Sequence, residues 1–594
     1  MHFHTQRSCG RQNASCNVPL NYWFNDSDIR RRRLIARMKT SMTAFLHHIR
    51  RCRYTASAFL AVLASSHTFA ATPVRVTVLR GERQIFEGFG ANGGGFDFQF
   101  GIGGDTHDEW IEPDIKDSIS KLLWDKNEMN LQVFRWGHCW VTGWTNATIV
   151  NSSRDALKHR LKYNPEAKLL FNPAGTVNDP YSWAERVAEV IDTLERAIVI
   201  NGRNIRIEYT GIGNEPNQHY AGYAAPMSSG TVPEVIKALR NVLDMRGLSH
   251  VNIIAPGPSN VDGWMWDAVE AVMADAEAMN ALYAWEYHSY NMSLTEEMAN
   301  YLLQTGKPIW QTEASLPEGE GVLYTNIYDW ADSQAGAQLS TRFLADMNFG
   351  VNYWLHYVDA GVMNPWCPGC NVVSYGDYNG ETRAHLKFYY FRQLGRTFVP
   401  GTVIRKCTTD VHVKMGEAGR DMRTTDKYME YWYGLKIPLA ASAGLRPDGS
   451  WAMAVVNHTD LRFTDYGSAY YPKTDFDVTF HVEELEDEPE IAFKVWRMNA
   501  GSRTDNAGIL ETTPAMLRYG DITVRVNHCD LVCLARDFET EFMRIPSAVS
   551  QPQGGSCGSC GTGILMSLIP PFSFRASLFL KKRRRRAGFG RRTR

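Results

Sequence analysis

The stretch IEYTGIGNEPNQHY, Ile207 to Tyr220, decides the fold: an apolar, β-branched and aromatic run stops at an Asn-Glu-Pro. A short run of this kind bounded by turn residues reads as a strand buried on both faces. A carboxylate placed where such a strand ends is not the ordinary solvated kind. The same texture recurs on either side. From Gln84 to about Val351 the runs are QIFEGFGAN, NLQVFRWG, AKLLFNPAG, IRIEYTGIGNEP, VNIIAPGPSN, LYAWEYHSYN, PIWQTEAS and VNYWLHYV. Between several of them lie stretches with apolar residues at i, i+3, i+4 and i+7, such as YSWAERVAEVIDTLERAI and VPEVIKALRNVLDMRG; these are amphipathic helices. LTEEMANYLLQTG is a third, with Gly at the expected stop. Parallel strands need crossover helices, and eight of them close a ring, so residues 84–395 predict a (β/α)8 TIM barrel in the α/β class.

Past HLKFYYFRQLGRTF and a VPG the texture changes to short strands with turn signals, as in GLRPDGSWAMAVVNHT and DITVRVNHCDLVCLAR. Residues 396–540 therefore predict an antiparallel β-sandwich. VRVTVLRG at 74–81 has no place in the barrel, so the segment 71–83 is expected to pair with the sandwich. No fixed-period repeat is present.

The formal charge of −1 hides an asymmetry. Residues 1–70 carry 11 Lys/Arg against 2 Asp/Glu, and residues 546–594 carry 10 against none. The body between them holds 42 basic and 62 acidic residues, a net −20. A nucleic-acid binder would carry its basic residues on the folded body, so that class is disfavoured.

The basic ends read as addresses. Arg50, Arg51 and Arg53 precede the apolar run YTASAFLAVLA, and Thr68-Phe69-Ala70 supplies small residues at −3 and −1. This is the pattern of a secretory signal peptide cleaved near Ala70, with Met42 or Met38 as the start. Residues 541–594 run from a linker through SCGSCGTG and a patchy apolar segment to KKRRRR. That order reads either as a tag tethering the chain to a membrane or cell surface, or as a disordered basic tail. With the signal removed, eight of the eleven cysteines remain, an even count that permits disulfides in an exported protein. CPGC at 367–370 lacks the two further ligands a metal site would need.

Two glutamates stand at the C-terminal ends of predicted strands, the face where barrels of this kind carry their chemistry. Glu215 closes strand four, and Glu313 closes strand seven in PIWQTEAS. A pair of carboxylates across one barrel mouth suits glycosidic bond cleavage, one protonating the leaving oxygen while the other attacks the anomeric carbon. Neighbours at other strand ends fit the same site. Asn214 is placed to donate to a sugar hydroxyl, and Arg135 adds positive charge from strand two. His288 and Tyr290 share one face of strand six, where Tyr290 could orient the nucleophile. Trp354 on strand eight is expected to floor the cleft under a pyranose ring. Trp136, Trp140, Trp144, Trp264, Trp266, Trp285 and Trp310 are further candidates for its lining.

These residues carry a resemblance. NEP on strand four, H-S-Y on strand six and QTEAS on strand seven are similar to the clan A retaining glycoside hydrolases. Within that clan, QIFEGFGAN, YYFRQLGRTFVPGTVI and LAASAGLRPDGSWAMAVVN resemble glycoside hydrolase family 30, over roughly Thr72 to Ala535. The resemblance implies a barrel with a side β-sandwich built from both chain ends. It also implies Glu215 as acid/base and Glu313 as nucleophile, with Asn214, Arg135, His288, Tyr290 and Trp354 around the substrate. FNPAGTVNDP after strand three and CWVTGWTNATIVNSS after strand two depart from the family pattern. The expected partner is a β-linked oligo- or polysaccharide, with no metal or organic cofactor and a monomeric chain. The alternative is a non-catalytic carbohydrate-binding or cell-surface protein on the same fold.

Overall fold

A computed structural model describes residues 71–93, 113–218, 224–289, 294–314, 333–357, 359–362, 372–375, 383–384, 386–409, 439–457, 459, 474–498 and 509–537. All of them lie within one compact unit, Met1–Ile545. The signal segment, CPGC and residues 541–594 lie outside the described residues.

Strand β1 (Thr72–Phe86) precedes the barrel and stays out of it. The barrel itself is closed by eight strands: β2 (Gly88–Asn92), β3 (Val133–Trp140), β4 (Lys168–Ala174), β5 (Tyr209–Gly211), β6 (Asn252–Pro256), β7 (Leu282–His288), β8 (Ile309–Ala314) and β9 (Val351–His356). Each runs parallel to the next, and β9 pairs back onto β2.

Helices fill every crossover: α1 (Pro113–Trp124), α2 (Asn146–Tyr163), α3 (Pro180–Ala197), α4 (Val232–Met245), α5 (Gly263–Met273), α6 (Ala276–Ala281), α7 (Glu296–Leu303) and α8 (Ser333–Phe349). A ninth, α9 (Leu386–Thr397), follows β9. α3 shows why these segments are helical. Asp179 accepts from Ser182 N as the N-cap, Pro180 takes the first turn, and Trp183, Val187, Ala188, Ile191 and Leu194 form one buried stripe. Inside the ring, Leu170, Tyr209, Ile254, Trp310, Tyr353 and Leu355 are among the side chains that fill the lumen, so the barrel is a packed core rather than a pore.

The second layer is a nine-stranded sheet. Its members after the barrel are β10 (Thr402–Thr409), β11 (Leu439–Leu445), β12 (Trp451–Asn457), β13 (Phe476–Val482), β14 (Ile491–Met498), β15 (Ile509–Leu517), β16 (Asp521–Val526) and β17 (Leu531–Ala535). The order is β15-β14-β17-β12-β11-β10-β1-β13-β16. The expected appended β domain is present, and its pairing departs from antiparallel at one place. β1 lies antiparallel to β10 but parallel to β13, so the sheet is mixed. A strand supplied from the far side of the barrel is joined to neither neighbour by a hairpin, so no turn dictates its direction.

Alternation then divides the sheet's two faces. Val76, Val78, Ala441, Met453, Val455, Phe480 and Leu534 close a core of their own. Ala440, Ala452, Ala454, Cys533 and Ala535 face the other way and join the barrel's core against α8 and α9. Tyr390 Oη on α9 donates to the Cys529 carbonyl at 2.8 Å. The Gln84 amide on β1 donates to the carbonyls of Met347 and Val351 at 2.7 and 3.1 Å. The sheet is thus fixed to the barrel by apolar and polar contacts together. Among the described residues Cys407 and Cys533 are free thiols, and no helix is long and apolar enough to cross a membrane.

Candidate active site

The β5 ladder ends at Gly211, so Glu215 stands four residues beyond the strand in a turn of its own. The turn is fixed on several sides. Asn214 N donates to Pro173 O at 2.8 Å, Ala225 N to Asn214 O at 2.7 Å, and Glu215 N to Gly257 O at 3.2 Å. Trp183 Nε1 on α3 donates to Ile212 O at 2.9 Å. Gly213 is required here, because a Cβ on it would lie 2.5 Å from the Ala225 Cβ. Glu215 itself adopts φ +44°, a left-handed conformation that a β-carbon residue holds only where its surroundings impose it. Glu313, in contrast, lies inside β8, where its carbonyl accepts from Ser289 N at 2.9 Å.

The two carboxylates meet across the barrel mouth. One oxygen of Glu215, one oxygen of Glu313 and a ring nitrogen of His288 lie within 4.8 Å of one another. Arg135, on β3, ties the group together. Its Nη1 donates to Glu313 Oε2 and to Asn92 Oδ1, and its Nη2 to Asn214 Oδ1 at 2.9 Å. Nη2 also lies 3.0 Å from His288 Nε2. A guanidinium only donates, so His288 Nε2 is the accepting nitrogen of a neutral ring. Nδ1 then carries the proton and donates to Glu215 Oε1 at 3.2 Å. Asn214 Oδ1 accepts from Asn172 Nδ2 as well, at 2.8 Å, which fixes its Nδ2 as the donor end of that amide. The Glu313 side chain is 4% exposed and that of Glu215 12%, so Glu215 is the more open of the pair.

Arg135, Asn214, His288, Glu215 and Glu313 are thus brought together, while Tyr290 lies outside the described residues. Trp354 is elsewhere. On β9 the lumen positions go to Tyr353 and Leu355, so the residue between them points outward. Trp354 is fully buried among Phe89, Phe343 and Phe391, and its Nε1 donates to Asp346 Oδ2 on α8 at 2.9 Å. It cannot floor a cleft. Several other tryptophans are also core residues. Trp136 bonds Ser153 on α2, Trp285 bonds Thr305, Trp266 packs on Tyr301, and Trp310 fills the lumen. Trp144 and Trp264 are only partly buried.

Four polar residues of the site were not singled out from the sequence: Asn92, Asn172, Glu286 and Thr312, all buried. Asn92 closes GFGAN on β2, and its Nδ2 donates to Thr312 O at 3.0 Å. Glu286 lies two residues before His288 on β7, on the same side of the strand, and accepts from Thr312 Oγ1 at 2.8 Å. That spacing within LYAWEYH, a carboxylate and an imidazole in an otherwise apolar strand, was the available signal. Burial pushes the Glu286 carboxyl above the ordinary range, against the lowering influence of Arg135 and His288.

Among the described residues, Glu215, His288 and Glu313 are also the set whose spacing would suit a metal ion. The site has a cation of its own, since the Arg135 guanidinium already bonds Glu313 and lies against His288.

An eight-stranded parallel barrel with two apposed carboxylates at its mouth is the arrangement of an O-glycosyl hydrolase. Comparison with known proteins points the same way. The sequence profile of glycosyl hydrolase family 59 matches residues 157–373, a span that includes both glutamates. Solved structures similar to the chain include a glycoside hydrolase family 30 subfamily 8 xylanase from Clostridium acetobutylicum, at 12% identity and TM-score 0.52, covering 78% of this chain and all of that one. The catalytic domain of a family 30 xylanase from Talaromyces cellulolyticus is similar at 13% identity and TM-score 0.54, with 78% and 100% covered. No curated protein sequence matches the chain. The family 30 likeness is therefore one of fold, while the matching profile is that of family 59. Together they support a clan A glycoside hydrolase.

Proposed function

We propose that the chain is an exported retaining β-glycoside hydrolase, with Glu313 as nucleophile and Glu215 as acid/base. One observation carries this reading: the Glu215 and Glu313 oxygens approach within 4.8 Å. Separations of about 5 Å suit direct attack by one carboxylate, whereas inverting enzymes keep the pair roughly 6.5–9.5 Å apart to admit a water.

The surroundings divide the two roles. Glu313 receives the Arg135 guanidinium, which favours its anionic form and suits a nucleophile. Glu215 is the more open and receives the His288 Nδ1 proton on one oxygen, which leaves the other for the leaving group. In the first step Glu215 gives its proton to the glycosidic oxygen as Glu313 bonds the anomeric carbon; the bond between that carbon and the glycosidic oxygen breaks, and the aglycone leaves as an alcohol. In the second, Glu215 takes a proton from water, the water oxygen bonds the anomeric carbon, and Glu313 is released. Two displacements on one carbon return the β configuration.

Export rests on the signal-like N-terminal segment, and the substrate on the chemistry of the pair: a β-linked glycan. The test is turnover of a panel of β-galactans, xylans, β-glucans and aryl β-glycosides by the wild type and by Glu313→Gln and Glu215→Gln. Hydrolysis of at least one substrate is expected, falling by on the order of 10³-fold or more in Glu313→Gln. A Glu313→Gln variant with wild-type turnover would refute the assignment. Glycan binding with no turnover by the wild type would favour a binding protein on this fold.

A further inference from the structure

Arg135 is the hub of the site, and its terminal nitrogens are committed upward to Glu313, Asn92, Asn214 and His288. What holds it from the other side is Glu286. Glu286 Oε1 lies 3.9 Å from Arg135 Nε, a nitrogen with no hydrogen-bond partner. The carboxyl group is itself clamped. Thr312 Oγ1 donates to Oε1 at 2.8 Å, and Thr312 is the residue immediately before the nucleophile. Oε2 is packed against glycine: a Cβ on Gly257 would lie 2.8 Å from it, and one on Gly211 3.4 Å. A larger residue at Gly257 would displace the carboxyl, whereas at Gly211 it would first meet Asn172 Oδ1, at 2.9 Å.

We infer that Glu286 is a positioning residue for the reaction proposed above, acting through Arg135. Its acceptor oxygen Oε1, held by Thr312 while Gly257 leaves room for Oε2, keeps the guanidinium's Nε edge turned down so that Nη1 stays on Glu313 and Nη2 on Asn214. The inference rests on the retaining reading of the site. The role needs an oxygen at that point rather than a charge. Oε2 has no hydrogen-bond partner, an arrangement far less costly for a neutral carboxylic acid than for an anion. Burial shifts the group in the same direction.

The test compares Glu286→Gln, which keeps an acceptor oxygen and the shape, with Glu286→Leu, which keeps approximate volume and loses the oxygen. Both are measured on the aryl β-glycoside that the wild type turns over best. Glu286→Gln should keep kcat within about threefold, while Glu286→Leu should lower it by on the order of a hundredfold with KM little changed. In the leucine variant the acidic limb of the pH profile should also move to higher pH, because Arg135 no longer holds the Glu313 anion. Among the described residues the charged or titratable groups facing Glu313 are Arg135, His288, Glu215 and Glu286. In that variant Arg135 is displaced and Glu286 is itself replaced; losing a neighbouring acid would by itself move the limb to lower pH, so a shift to higher pH reports Arg135.

Wild-type kcat in Glu286→Leu, or an unmoved acidic limb, would overturn the inference. Equal losses in the two variants would overturn it as well, by showing that the charge matters. If thermal melting shows the leucine variant unfolded, Thr312→Val removes the hydroxyl that clamps Oε1 and leaves the carboxyl in place. That variant should shift the limb in the same direction with a smaller loss of kcat, and no shift would count against the inference. Glu313→Gln, assayed beside them, separates the two questions: full activity there defeats the retaining reading itself.

Discussion

Trp354 shows what one residue's environment decides. Its ring is enclosed by Phe89, Phe343 and Phe391, and its one polar atom is bonded to Asp346. Trp354→Phe should therefore leave KM unchanged and lower stability by about 1–3 kcal/mol, through the unpaired buried acceptor it leaves behind. Chemical denaturation and steady-state kinetics on the same sample check both halves. Asp346 adds a pH dependence. Burial raises its carboxyl to about 7, outweighing the Trp354 and Tyr287 hydrogen bonds and the Arg342 charge. Its folded pKa is thus above the unfolded value of about 4, so the fold binds the proton more tightly than the open chain does. The stability this contributes is complete below about pH 4 and is lost as pH rises through about 7. Melting temperature should fall across that window, and Asp346→Asn should flatten the slope. A slope unchanged in Asp346→Asn would assign it to another group.

At this scale Glu215 and Glu313 were legible because each follows a buried run at a strand's C-terminal end. Trp354 was not. A strand buried on both faces has apolar side chains on each, so the run VNYWLHYV does not say which parity enters the lumen. Glu286 was hidden for the opposite reason: a single acid inside LYAWEYH shows its importance only when the partner strands bring Arg135 and Thr312 beside it.

Elements were easier to read than side chains. The barrel strands follow from eight apolar runs separated by helical patterns, because period and length distinguish the two. The bounds of β5 did not follow. Its ladder is only three residues long, since the chain must leave the sheet early to carry Glu215 around its left-handed turn. Gly213→Ala tests that turn directly. Its methyl would meet the Ala225 Cβ at 2.5 Å, and neither atom belongs to a flexible tail. Displacing Glu215 by about 1 Å should cost on the order of a hundredfold in kcat, with thermal stability falling less than activity. A variant with wild-type kcat would show that the turn has room to relax.

The packing of α8 on α9 is similarly tight. A Cβ on Gly336 would lie 2.7–2.9 Å from the Tyr390 ring, so Gly336→Ala should destabilise by about 1–3 kcal/mol. Denaturant melts would show it as a lower midpoint at constant slope.

Across the whole molecule, the barrel and the nine-stranded sheet share one apolar core on the sheet's alanine face. Alternation in the sequence predicted strands there, yet could not show that β1 would enter the sheet beside β13 and make it mixed. That depends on where the barrel returns the chain. A shared core predicts a single unfolding transition for barrel and sheet, and a chain ending at Val399 should not give a folded barrel. Differential scanning calorimetry of the full chain, with circular dichroism of the shortened one, checks this; two resolved transitions would contradict it.

The central claim is that two carboxylates across this barrel mouth perform a double displacement. The most direct measurement is the configuration of the sugar first released, followed by proton NMR before mutarotation equilibrates the anomers. The account predicts the β-anomer first, with the α-anomer appearing only later as the sugar equilibrates. An α-anomer released first would mean single displacement through water, and would contradict the role given to Glu313.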